Sequence, residues 1–137
     1  MHKEENIYDP NKECFDIDTK TYSWTIGNKS YDVHVWIYKT LNDLYSGYTS
    51  KSKTRRLEAV GLFNSGNKNG TFIGVIKIAK SHLTRETIIH ESFHAGIELQ
   101  RHLGRHISTR FEEDIVSASA LLADQLINDL QDLIIKE

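Results

Sequence analysis

The residues with the clearest capacity for chemistry are His90, Glu91 and His94, which read H-E-x-x-H inside the stretch TRETIIHESFHAGIE, Thr84 to Glu98. On a helix, residues four apart share a face, so both imidazoles can bind a single Zn²⁺. Glu91 lies one residue on, about 100° round the helix. It need not ligate. Zinc brings the pKa of a coordinated water near neutrality, and a carboxylate can then take a proton from that water as it attacks a carbonyl. Three fixed positions also occur by chance, on a surface helix with two exposed histidines. The neighbours argue against that. Ile88, Ile89, Phe93 and Ile97 make the helix apolar around the motif. His90, Glu91 and His94 are therefore expected to be at least partly buried, where polar groups without partners are costly. Ala95 and Gly96 are small and let another element approach closely.

A catalytic zinc needs a third protein ligand and an open position for water. The glutamates of Thr109-Arg110-Phe111-Glu112-Glu113-Asp114 fall 18 and 19 residues after His94. A turn at Gly104 would bring this second helical stretch back antiparallel. Its apolar residues, among them Ile115, Val116, Leu122, Leu126 and Leu130, point on average close to the direction of Glu112, with Glu113 at the border. A carboxylate on a buried face needs a partner, and zinc would supply one. Glu112 is favoured over Glu113, and both stand as candidates. Acids that complement the helix dipole would explain one of them, and Asp114, equally well.

Other groups compete less well. His102 lies about 12 Å along the same helix from His94, too far to share an ion. His106 lies beyond Gly104 and could fold back. His82 could steady an oxyanion or cap the helix, although a loop role is the simpler expectation. Arg85 could reach a substrate carboxylate or stay a solvated cation. Tyr22, Trp24, Tyr31, Trp36 and Tyr38 read mainly as sheet packing. Any tyrosine among them could also donate to a tetrahedral intermediate.

These groups must be held by the elements around them. Residues 1–20 are polar, contain the only proline, Pro10, and read as a flexible N-terminal arm; residues 21–137 read as one domain. Residues 21–39 alternate as a hairpin, Tyr22, Trp24 and Ile26 against Tyr31, Val33, Val35 and Ile37, with turn chemistry at Gly27 to Ser30. Residues 40–48 suggest a short helix, 57–63 a third strand, 64–70 a turn and 71–79 a fourth strand. Two long helices follow. The first runs from Thr84, a fair N-cap, to about Leu103, with Gly104 as its C-cap. The second is capped by Ser108 or Thr109 and runs to about Ile134. The fold class is α+β: a small antiparallel or mixed sheet of about four strands, then two long helices.

The whole chain sets the limits. Its 137 residues suit one domain with a real core. Net charge is −2, and only Lys51, Lys53, Arg55 and Arg56 cluster, so no nucleic-acid partner is expected. The single cysteine, Cys14, cannot form an internal disulfide and reads as a plain thiol. That fits a reducing, cytoplasmic setting. No membrane association is expected: no apolar run approaches a span, and Met1 to Asn6 does not read as a signal peptide.

His90 to His94 followed by a glutamate on the next helix resembles the gluzincin arrangement. It is similar to the minimal zincin metallopeptidase domains found among bacterial and phage proteins. The resemblance covers roughly residues 71–123. It implies a Zn²⁺ cofactor held by His90, His94 and Glu112 or Glu113, with Glu91 as general base. It also implies that strand 71–79 lies along the cleft and pairs with an extended peptide or protein substrate. The chain departs from the family at Val116 and Ser117, where an Asp or Asn is frequent four residues after the glutamate. It also lacks a clear second substrate-binding lobe. Ile97 and Gln100 stand where the metzincin pattern requires Gly and His, which excludes that class. The functional expectation is a zinc-dependent metallohydrolase, a peptidase in class. A catalytically silent zincin scaffold with a binding or regulatory role, such as a phage-encoded one, is the alternative. A structural zinc site closed by His82 or His106 would leave Glu91 without a task.

Overall fold

Alternation of apolar and polar residues builds the first hairpin. The computed structural model describes residues 18–45, 61–67, 70–105 and 111–135. Strand β1 (Asp18–Ile26) and strand β2 (Lys29–Tyr38) pair antiparallel, with Tyr22 opposite Val33 and Trp24 opposite Tyr31. Ile26 pairs with Lys29, so the turn is the two residues Gly27 and Asn28, tighter than the expected four. Residues 18–20 were expected in the N-terminal arm and belong to the sheet instead.

After α1 (Leu41–Tyr45) come β3 (Gly61–Ser65) and β4 (Phe72–Ala79). The strand expected over 57–63 is thus observed as β3, and residues 57–60 lie outside the described residues. The sheet order is β1-β2-β4-β3, with β2 and β4 parallel and the other pairs antiparallel. Strand β4 is buried along its whole length because both faces are covered. On one face Ile73, Ile76 and Ile78 join Val33, Val35 and the helices in the main core. On the other, Val75 and Ala79 pack with Trp36, Tyr38, Leu62, Phe72 and Leu44 of α1. Both edges of β4 are already paired, so it cannot take a substrate strand as the family resemblance implied. The strand at the sheet edge on that side is β3.

A short 3-10 turn, Lys80–His82, leads to α2 (Arg85–His102). Thr84 caps it: its hydroxyl accepts from the Thr87 amide at 3.1 Å. At the far end the Gly104 amide donates to the Arg101 carbonyl and the Arg105 amide to the Gln100 carbonyl, both at 3.0 Å. With Gly104 at a φ of 76°, this is a Schellman ending. Helix α3 (Glu112–Leu130) starts after Phe111, which gives no side-chain cap, and stops short of the expected Ile134. Ser108 and Thr109, the caps expected from sequence, lie outside the described residues, as do Cys14, Lys51 to Arg56 and His106.

The two helices run antiparallel across the sheet. Arg105 bonds Asp114 at 3.1 Å at one end, and Gly96 meets Ile115 and Ser119 further along. A Cβ built on Gly96 would lie 2.1 Å from the Ser119 hydroxyl and 3.1 Å from the Ile115 carbonyl, so the crossing requires glycine. Among the described residues no helix is long and apolar enough to cross a membrane.

Candidate metal centre

Helix α2 has four kinds of surface, and their order places the motif. Ile88, Ala95 and Leu99 turn to the sheet core. Gly96 meets α3. Thr87 and Glu91 press against Gly61 of β3. His90 and His94 fall on the remaining side, beside β3 and open to solvent. With Glu91, Gly61, Leu62 and Phe63 they line a shallow cleft of about 220 Å³.

The two imidazoles converge. Their Nε2 atoms are 3.3 Å apart, with ring centroids at 4.9 Å and planes at 75°. Two nitrogens bound to one tetrahedral zinc at about 2.0–2.1 Å would stand about 3.3 Å from each other. The same distance is long for a hydrogen bond between them. Partial loss of solvent around the ring, and then the neighbouring His90, hold the His94 pKa below the ordinary imidazole value. That favours the neutral ring, the form that ligates metals.

Glu91 is only 4% exposed. Burial raises its carboxyl from the usual carboxylate range to about 7. Its position depends on Gly61: a Cβ there would sit 2.8 Å from Thr87 Cγ2 and 3.1 Å from Glu91 Oε2. From the sequence, Gly61 reads only as part of a strand, with no role of its own. The available signal was a glycine inside the apolar run LEAVGLF, a mark of close backbone approach.

The expected burial holds for Glu91 and not for the histidines, which are both exposed. The apolar neighbours misled on this point, since Ile89 and Phe93 are themselves 53% and 45% exposed. Glu112, expected on the buried face, is also exposed, as is Glu113. Glu112 is the first residue of α3, and the packed stretch begins only at Ile115. At about 100° per residue, Gly96 lies about 140° round α2 from the midpoint of the two histidines, so α3 packs on a different side. Among the described residues, no three His, Cys, Asp or Glu side chains form a group able to hold an ion. The structure brings Glu91 beside the histidine pair and does not bring Glu112 or Glu113 to it.

The remaining candidates have other contacts. The His102 side chain is covered, with Nδ1 3.0 Å from the Glu98 carbonyl and Nε2 against the Asn67 carbonyl, tying the β3–β4 connection to the end of α2. His82 contacts Ser81 at 3.0 Å. Arg85 lines a separate cavity with Gln131 and Asp132. The Tyr22 hydroxyl donates to Asp129 at 2.9 Å, and the Trp24 indole donates to the Ala118 carbonyl at 3.1 Å. Tyr31, Trp36 and Tyr38 are core residues. No family model, no curated protein and no solved structure matches the chain.

Proposed function

We propose that this chain is a zinc-dependent hydrolase of peptide bonds, with His90 and His94 as metal ligands and Glu91 as general base. The observation that carries the reading is the convergence of the two Nε2 atoms at 3.3 Å beside the buried Glu91. The separation fits two ligands of a tetrahedral ion, and neutral imidazole is the correct donor. Zinc, when bound, supplies a Lewis acid and acidifies water. The protein supplies the rest. Glu91, buried beside the histidine pair and raised to about 7 in the metal-free chain, stands where it can accept a proton and return it to a leaving amine. The edge strand β3 offers backbone groups beside the cleft, which suits an extended peptide. Glu112 and Glu113 are the acids the sequence offers as third ligand. The first turn of α3 is held beside Arg105, about 16 Å along α2 from His94, so to reach the pair it would have to move both round α2 and back along it; alanine variants of each glutamate test this through zinc affinity. A cytoplasmic site of action belongs to the same proposal and rests on the single cysteine.

The test is Glu91→Gln assayed on a peptide library with the zinc-loaded protein. Metal should be retained while turnover falls by about 10²-fold or more. Undiminished turnover would remove Glu91 from the mechanism. Stable peptide capture by a zinc-loaded wild type that cleaves nothing would support a silent binding scaffold instead.

A further inference from the structure

The side of the helix pair away from β3 carries a feature that the metal centre does not use. Ile89 and Phe93 of α2 and Val116 of α3 are large apolar side chains left 53%, 45% and 49% exposed. They are not scattered. All three line one groove of about 290 Å³ between the helices, floored by the small residues Ala120 and Ala123. Apolar side chains gathered in this way mark an interaction surface more often than a solvated one.

The charge around the groove says what fits. Helix α3 carries Glu112, Glu113, Asp114, Asp124 and Asp129 and no basic side chain. Asp114 bonds Arg105, and Asp129 accepts from Tyr22. Glu113, Val116, Ala120, Asp124 and Ile127 recur at three- and four-residue steps, which sets acid and apolar groups along one stripe. We propose that this groove docks a cationic amphipathic helix of a partner protein, its apolar side chains between α2 and α3 and its Lys or Arg residues against Asp124 and Glu113. Two antiparallel helices with small residues between them present the kind of groove that accepts a third helix. An anionic membrane is disfavoured by the acidic rim. A second copy is disfavoured because it would bring to the groove another α3 rich in acids and without a basic side chain, leaving Asp124 and Glu113 no cation to meet. The inference does not depend on whether His90 and His94 bind metal.

The probe is a synthetic peptide of about five helical turns with Leu on one face and Lys on the other, beside a twin with Glu replacing Lys. Binding is read by fluorescence anisotropy. The Lys peptide should bind the wild type, and the Glu twin should not. Val116→Gln and Asp124→Lys should each weaken Lys-peptide binding about tenfold. Leu121→Gln, an exposed apolar residue of α3 outside the groove, should leave it unchanged. All three substitutions are at exposed positions, and circular dichroism checks that the fold persists. The proposal is overturned if the Lys peptide does not bind, if both peptides bind equally, or if Val116→Gln has no effect. Binding to anionic vesicles in place of the peptide, or a wild-type dimer that Val116→Gln dissolves, would also overturn it.

Discussion

Glu91 is the residue on which burial and chemistry meet. It is pressed between Thr87 and Gly61, and loss of solvent raises its carboxyl to about 7. A folded-state pKa above the unfolded value means that the fold favours the protonated acid. The stabilising contribution is therefore fully present below the unfolded value of about 4.5 and is lost as pH rises through about 7. Metal-free protein, kept so with a chelator, should melt at a higher temperature at pH 5 than at pH 8. Glu91→Gln, neutral at both, should reduce that difference. An unchanged difference in the variant would show that other groups set the pH dependence. Much of this residue's environment was legible in the sequence, because an acid beside Ile88 and near Ala95 on an amphipathic helix falls toward the core. The exposure of His90 and His94 was not, because the apolar Ile89 and Phe93 face a groove that the described residues leave open.

At the scale of elements, the crossing of α2 and α3 decides how closely the helices sit. Gly96 admits the Ile115 turn, and the Ser119 hydroxyl is buried there without a hydrogen-bond partner among the described residues. Removing a buried, unpartnered hydroxyl takes away a desolvation cost. Ser119→Ala should raise stability by about 1 kcal/mol in denaturant titration. Gly96→Leu should lower it by about 1–3 kcal/mol or more, since a side chain there must displace backbone. Stabilisation by Gly96→Leu would contradict the close crossing. The sequence announced the helix ends where cap chemistry is local: Thr84 and Gly104 are both used as expected. It also announced the first hairpin, because alternation and a Gly-Asn turn are short-range signals. The partner of β4 was not legible. Strand pairing depends on which elements meet after the chain crosses over, and nothing in an apolar run such as TFIGVIKIA says which edge it will share.

For the whole molecule, the arrangement sets two faces of α2 to different uses. One holds the histidine pair and Glu91 against the edge of the sheet, and the other opens the apolar groove with α3. The direction of α3 follows from the contacts of Gly96 and Arg105, and it carries Glu112 and Glu113 away from the histidines. A helical wheel could not show this. It gives azimuth on one helix, whereas ligation depends on where two helices cross. The central claim is that His90 and His94 hold one divalent ion together, and zinc content per chain by elemental analysis tests it most directly. The expected result is one zinc per wild-type chain and loss of that zinc in a folded His90→Ala, His94→Ala double variant. A wild type that takes up no zinc when the ion is supplied, or a double variant that keeps it, would contradict the claim.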